Sequence, residues 1–68
     1  MRDWLRAARA AQRLTQKQVA DALGVTEAYY SMIEGGNRQK NMDVSLAIKL
    51  GNVLGMSLEE IAAKEAEI

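Results

Sequence analysis

The sequence predicts an all-α fold, with five short helices in one domain that spans residues 1–68. Residues of the kinds that cap helices precede four segments with apolar residues at helical spacing: Thr15, Thr26, Asp43 and Ser57. Gly24 and Gly55 follow two such segments, where glycine can adopt the left-handed backbone that ends a helix. No repeat, linker or low-complexity stretch divides the chain.

The first helix is predicted over residues 2–13, which are rich in the strong helix formers Ala and Arg. Leu5, Ala8 and either Ala11 or Gln12 lie along its apolar face. Its charged side chains, Arg2 among them, make it a charged amphipathic helix. Trp4 lies beside the apolar face and needs burial, which the C-terminal helix or a second subunit can supply.

Residues 15–34 predict two helices joined by a glycine turn. Thr15 and Gln18 have the spacing of a capping box that opens helix 2, over about 16–23, and Gly24 ends it. Thr26 caps helix 3, over about 26–34, whose apolar positions include Tyr30 and Ile33. We expect Tyr30 in the core, with its hydroxyl at the domain edge. Two capped helices around a glycine turn within twenty residues indicate a helix-turn-helix.

Two further helices follow a polar connection over residues 35–41. Asp43 caps helix 4, and its apolar stripe is predicted to contain Val44, Ala47, Ile48, Gly51 and Leu54. Glycine inside a helix costs about 1 kcal/mol relative to alanine, so Gly51 indicates close approach of another helix. Ser57 and Glu60 form a second capping box, and helix 5 begins at Leu58 and extends towards the C-terminus.

These segments resemble the Cro/repressor-type (XRE-like) helix-turn-helix family. The resemblance extends over about residues 5–62 and rests on Thr15-Gln16, Val19-Ala20, Leu23-Gly24-Val25-Thr26, Ile33-Glu34 and Leu54 to Ile61. It implies a compact five-helix domain of the phage-repressor type. It also implies that Arg9 pairs with Glu34 at the end of the recognition helix, the alternative being two independent surface charges. The connection after helix 3 is about two residues longer than the usual family form and lacks its common proline.

The resemblance further implies which residues contact DNA, with helix 3 in the major groove. On the outward face of helix 3 these are Glu27, Ala28, Tyr29 and Met32. The phosphate contacts are expected from the opening of helix 2, from the cap of helix 3 and from the connection: Gln16, Lys17, Thr26, Asn37, Arg38 and Lys40. The Thr26 hydroxyl can serve a phosphate as well as its own helix.

The outward face of helix 3 lacks the Arg, Gln or Asn that makes bidentate contacts to guanine or adenine. Glu27 can accept a hydrogen bond from the cytosine amine, although nearby phosphates repel it. Ala28 and Met32 can contact thymine methyl groups, and Tyr29 can reach a phosphate or a base edge. Met32 is also the kind of flexible residue that fills protein contacts.

Charge is distributed unevenly although the formal net charge is zero. Residues 1–40 hold seven basic and four acidic side chains, whereas residues 41–68 hold two basic and five acidic ones. A basic half that carries the helix-turn-helix suits phosphate contact. The chain has no Cys and no His, which argues against disulfides, metal sites and cofactors. No apolar run of membrane-spanning length and no signal peptide is present, so we expect a cytoplasmic protein.

The leading hypothesis is a sequence-specific DNA-binding regulator of transcription, of the phage or prophage repressor or restriction-controller kind. We expect a homodimer on an inverted repeat in double-stranded DNA, with no small-molecule ligand. The dimer contact is expected through helix 5, with helix 1 or the end of helix 4 at its rim. The apolar residues available for it are Trp4 on helix 1 and Leu58, Ile61 and Ile68 on helix 5. The alternative is a protein-interaction module on the same fold, such as an antitoxin or anti-repressor-like adaptor. An enzyme is the weakest reading, because no serine has a histidine partner and no phosphate-cradling glycine loop occurs.

Overall fold

The computed structural model describes residues 1–67. Within them lie five α-helices and no strand: α1 (Asp3–Ala11), α2 (Gln16–Leu23), α3 (Glu27–Gly35), α4 (Val44–Leu54) and α5 (Leu58–Ala66). The predicted all-α fold and helix order are therefore confirmed. α1 is shorter than predicted at both ends, since Arg2 precedes it and the backbone turns after Ala11. Ile68, predicted to contribute to a dimer contact, lies outside the described residues.

The predicted caps are present and set where the helices begin. The Thr15 hydroxyl accepts a hydrogen bond from the Gln18 amide at 3.1 Å, and the Gln18 side chain accepts one from the Thr15 amide. Ser57 and Glu60 repeat this arrangement at α5, and Asp43 caps α4. Gly24 has φ +75°, so the backbone reverses between α2 and α3 without the steric cost that a side chain would add.

The core is formed by side chains from all five helices: Leu5, Val19, Ala20, Leu23, Tyr30, Ile33, Leu46, Ala47, Leu50, Leu54 and Ile61. The predicted apolar stripe of α4 was partly wrong. Val44 and Ile48 are 62% and 49% exposed, and Leu46 and Leu50 are buried in their place. α4 has apolar residues around most of its circumference, so its spacing alone does not select the buried face.

Gly51 on α4 is required by close packing, as its position within a helix predicted. A Cβ atom there would overlap the carbonyl oxygen of Met56, and it would lie 3.5 Å from the Ile61 side chain. The amide of Met56 also donates a hydrogen bond to the Gly51 carbonyl at 3.0 Å. The turn before α5 therefore lies directly against α4, which brings Ile61 into the core.

A buried ion pair connects α1 to the end of α3, as the resemblance implied. Nε of Arg9 lies 2.5 Å from a carboxylate oxygen of Glu34, and both side chains are largely buried. A terminal nitrogen of Arg9 donates to the other carboxylate oxygen at 3.4 Å, and Gln16 donates a third hydrogen bond to this carboxylate at 3.2 Å. Arg9 also donates to the Leu14 carbonyl at 2.9 Å. Burial by itself raises the pKa of Glu34, but the hydrogen bonds, led by those from Arg9, outweigh it and lower the pKa below its usual value.

Tyr30 lies in the core as predicted, but its hydroxyl is not at the domain edge. The oxygen is buried and has no hydrogen-bond partner among the described residues. Burial, with the nearby Glu34 carboxylate as a further cause, raises the pKa of this hydroxyl well above its usual value. The tyrosine therefore stays neutral beside the ion pair.

The packing at Gly51 predicts that Gly51→Ala destabilises the fold. Alanine favours a helix by about 1 kcal/mol, but overlap with the Met56 carbonyl should reverse this to a net loss of about 1–3 kcal/mol. Gly35→Ala is the matched control, because the nearest atom to a Cβ there is the side-chain nitrogen Nδ2 of Asn37, at an ordinary contact distance of 3.5 Å. Chemical denaturation measures both. Equal stability of the two variants would contradict close packing at Gly51.

The Arg9–Glu34 pair predicts strong coupling in a double-mutant cycle. Arg9→Met or Glu34→Leu alone leaves the other charge buried, and should cost about 2–4 kcal/mol of unfolding free energy. The double variant should be more stable than the sum of the single losses indicates, and additive losses would mean that the side chains do not interact.

The same pair predicts how stability depends on pH. The pKa of Glu34 is lower in the folded state than in the unfolded state. The ionised carboxylate therefore stabilises the fold fully at pH values above the unfolded-state pKa, and this stabilisation is lost as the pH falls through the folded-state pKa. The unfolding free energy of the wild-type chain should therefore fall below about pH 4.5 more steeply than that of Glu34→Gln. The exposed Glu59→Gln serves as the control, and parallel pH profiles for wild type and Glu34→Gln would contradict this prediction.

Candidate nucleic-acid interface

The turn between α2 and α3 determines which face of α3 meets solvent. The Val25 amide donates to the Ala20 carbonyl at 3.0 Å, and the Val25 side chain packs against the core. Tyr30 and Ile33 anchor the inner face of α3 in the core. The opposite face is consequently solvent-exposed over the first two turns of the helix.

Three of the four predicted base-contacting residues lie on this exposed face: Glu27, Ala28 and Met32. Tyr29 is half-buried and packs against the core, and its hydroxyl accepts a hydrogen bond from the Gln39 side chain at 3.2 Å. Ser31 is exposed between Ala28 and Met32 and was not among the predicted contacts. Helical spacing of three from Ala28 was the signal that would have included it.

The opening of α2 presents one exposed and one inward-turned side chain. Lys17 is exposed and pairs with Asp21 at 3.1 Å, one helical turn away. Such an exposed pair contributes little free energy, so Lys17 can leave Asp21 for a phosphate. The Gln16 side chain is half-buried and donates to Glu34. A phosphate contact from Gln16 is therefore expected to use its backbone amide in the first turn of α2.

The remaining predicted phosphate contacts lie on the surface at the two ends of α3, in the connection that follows it and at its N-cap. Asn37, Arg38 and Lys40 are exposed, and Thr26 is exposed while its hydroxyl accepts from the Tyr29 amide at 3.1 Å. The amides of Asn37 and Arg38 both donate to the Met32 carbonyl, at 2.9 and 3.2 Å. The connection thus begins directly over the last turn of α3, beside the exposed face.

Arg2 is the residue of this region that the sequence did not reveal. It was assigned to a charged helix surface, but it is only 2% exposed. Its guanidinium donates to the carbonyls of Ile33 at 2.7 Å and Arg38 at 3.2 Å, and also to the Gln39 carbonyl. Its Nε lies 3.0 Å from the Glu65 carboxylate of α5. Nothing in the local pattern distinguishes this arginine from the exposed ones on α1.

Trp4 lies close to the same carboxylate. Its indole nitrogen donates to Glu65 at 2.8 Å, and its ring packs partly against the core. Contact with the C-terminal helix, one of the two predicted ways to bury Trp4, is therefore present. The described residues contain no group of acidic side chains arranged to hold a metal ion. Among them no helix has the length and apolar character needed to cross a membrane.

Comparison with known proteins agrees with this geometry. The pattern of the helix-turn-helix family matches residues 5–61. The chain is 44% identical over 55 residues to the uncharacterized HTH-type transcriptional regulator YqaF of Bacillus subtilis (strain 168). The aligned region covers 81% of this chain and 70% of YqaF. It is 34% identical over 62 residues to the uncharacterized HTH-type transcriptional regulator YqaE of the same organism, and this aligned region covers 91% of the chain.

The chain spans about half the length of YqaE, since the similar region is 52% of that protein. No solved structure is significantly similar to the chain. The family match nevertheless extends from α1 into α5 and includes both helices of the motif. The resemblance found in the sequence is therefore confirmed, and the chain belongs to the helix-turn-helix family.

Proposed function

We infer that this chain is a DNA-binding transcriptional regulator, and we propose that it reads a specific operator with α3. Membership of the family and the names of both relatives support the regulator function. The observation that carries the proposal is the exposed face of α3, with Arg38 and Lys40 exposed on the adjoining connection. A helix that presents side chains to base edges between phosphate-binding groups suits the major groove.

The chemistry of the α3 face favours thymine-containing steps. Ala28 and Met32 offer apolar contact to thymine methyl groups, and Glu27 offers an acceptor to the cytosine amine. Because these contacts are weaker than bidentate hydrogen bonds, phosphate contacts should supply much of the affinity. A regulator of this kind would work in the cytoplasm, at the nucleoid, whether a bacterium or a phage encodes it. The family assignment indicates a regulator rather than an enzyme.

A homodimer on an inverted repeat is the assembly that we propose. Val44, Ile48 and Leu58 are large apolar side chains with 62%, 49% and 44% exposure. Val44 and Ile48 are one helical turn apart on α4, and Val44 and Leu58 line the same groove between α4 and α5. We call these three residues the α4–α5 face. A surface of this kind on so small a domain is suited to a second copy of the chain.

The structure changes the expected composition of the dimer contact. Ile61, predicted to take part, is 1% exposed and belongs to the core, so its predicted role was wrong. Trp4 is half-buried and bound to Glu65, which leaves only part of its ring available. Leu58 remains exposed, and the outward turn of Val44 and Ile48 adds two residues that were expected to be buried.

A protein-interaction module is the second candidate function. Met32 is an exposed, flexible apolar residue on the exposed face of α3, and the net charge is zero. Affinity for random duplex DNA, measured against salt concentration, separates the two functions. Affinity for DNA that falls steeply with salt concentration supports the regulator. No measurable affinity for DNA, together with binding of a protein partner, supports the interaction module.

The exposed connection predicts that Arg38→Ala and Lys40→Ala weaken binding to all duplexes alike. Each lost phosphate contact should reduce the slope of log affinity against log salt concentration by about 1. Lys49→Ala removes an exposed charge from α4 and is the matched control. If the affinity of Arg38→Ala and Lys40→Ala for specific DNA fell while the salt slope stayed at its wild-type value, Arg38 and Lys40 would not contact phosphate.

The α4–α5 face predicts a dimer that a charged substitution disrupts. Sedimentation at micromolar concentration should give a protein mass about twice the 7.5 kDa of the monomer. This should hold either for the free protein or, once the mass of the duplex is subtracted, for the complex with DNA selected from a random duplex pool. The selected sites should be inverted repeats with half-sites about 34 Å apart. Ile48→Lys should lower the dimer fraction, while Ala63→Lys, on exposed α5 surface, should not. Selection of a single half-site would contradict the dimer.

A further inference from the structure

The connection between α3 and α4 has a backbone conformation that needs support. Gln39 has φ +54°, in the left-handed region that residues other than glycine seldom adopt. The connection contains no regular helix between Asn37 and Asp43, and Arg38 and Lys40 flank Gln39 directly. The positions of both candidate phosphate contacts therefore depend on how this one residue is held.

Arg2 supplies most of that support through a single guanidinium. It donates to the carbonyls of Arg38 and Gln39, on the two peptide groups that precede Lys40. It also donates to the carbonyl of Ile33 in the last turn of α3. Because a guanidinium is planar and its donors have fixed directions, these bonds set the connection at one position relative to the recognition helix.

The backbone next to Arg2 strengthens the same attachment. The Arg2 amide donates to the Glu34 carbonyl at 2.8 Å, so both the backbone and the side chain of Arg2 are hydrogen-bonded to the end of α3. The Gln39 side chain donates to the Tyr29 hydroxyl and accepts from the Asp43 amide, each at 3.2 Å. The connection is thereby held at Arg2 on one side and at the start of α4 on the other.

Glu65 forms an ion pair with the buried guanidinium of Arg2 and so compensates its charge. Its carboxylate accepts from Nε and a terminal nitrogen of Arg2 at 3.0–3.1 Å, and from the Trp4 indole at 2.8 Å. A buried guanidinium without such a partner would destabilise the fold, because its lost hydration would not be compensated. α5 thus completes a bridge from the C-terminal helix, through Arg2, to the connection.

We propose that Arg2 is a positioning residue for DNA binding, which holds Arg38 and Lys40 where they meet the phosphate backbone without contacting DNA itself. This inference rests on the proposed function and names the residue that adjusts the phosphate-binding surface. Lysine at this position retains the charge but lacks the planar set of donors, so it cannot bind three carbonyls and a carboxylate in the same geometry.

The test compares Arg2→Gln, Arg2→Lys and Glu65→Gln with Arg6→Gln, which removes an exposed arginine from α1. Affinity for a random duplex is measured against salt concentration, at a temperature where circular dichroism shows each variant folded. Arg2→Gln and Arg2→Lys should flatten the salt slope by about 1–2, which is also the change expected for the combined Arg38→Ala and Lys40→Ala substitutions. Adding Arg2→Gln to that pair should then change the slope no further.

Hydrogen exchange provides a readout that is independent of DNA. The amides of Asn37 and Arg38, which donate to Met32, should exchange about tenfold faster or more in Arg2→Gln, while amides in α2 keep their protection. Glu65→Gln should give a smaller increase and remains informative if Arg2→Gln does not fold. Arg6→Gln should match the wild type in both measurements.

Folded Arg2 variants with the wild-type salt slope would overturn the proposal, as would unchanged exchange at residues 37 and 38. A wild-type chain that bound no duplex would instead refute the proposed function. In that case the exchange measurement would still decide whether Arg2 orders the connection. The two failures are therefore distinguishable.

Discussion

The carboxylate of Glu34 is the constraint on which the arrangement of the first three helices depends. It is buried at the end of α3 and receives hydrogen bonds from Arg9 on α1 and Gln16 on α2. A buried carboxylate without such donors would cost about 3–5 kcal/mol, whereas apolar contacts tolerate small shifts. The polar contacts therefore select one orientation of α3 among those that the apolar core permits, and the exposed recognition face follows from it.

The two ends of α3 are held by different kinds of interaction. Its N-terminus depends on the Thr26 cap and the left-handed Gly24, both of which are local. Its C-terminus depends on Arg9 of α1 and on Arg2, which immediately precedes α1. Through Arg2 it also depends on Glu65 of α5. Local capping determines where the recognition helix begins, and contacts between distant segments determine where its end and the following connection lie.

The connection and α4 show why parts of the site were not predictable. The longer connection without proline left its path open, and the path is set by carbonyl contacts to Arg2, 36 and 37 residues away in sequence. On α4, apolar residues occur around most of the helix, so periodicity did not distinguish Val44 and Ile48 from Leu46 and Leu50. Ile61 was expected at a contact surface because so short a chain has a small core, but it fills the space beside Gly51 instead.

Helix number, helix starts, the glycine turn and the family were readable from the sequence, because caps, left-handed glycines and apolar spacing act within a few residues. The Arg9–Glu34 pair followed from the resemblance alone. The burial of Arg2, the outward turn of Val44 and Ile48 and the attachment of Tyr29 to Gln39 required the folded chain. Each depends on which distant carbonyl, carboxylate or apolar surface lies opposite the side chain, and local spacing carries no information about that neighbour.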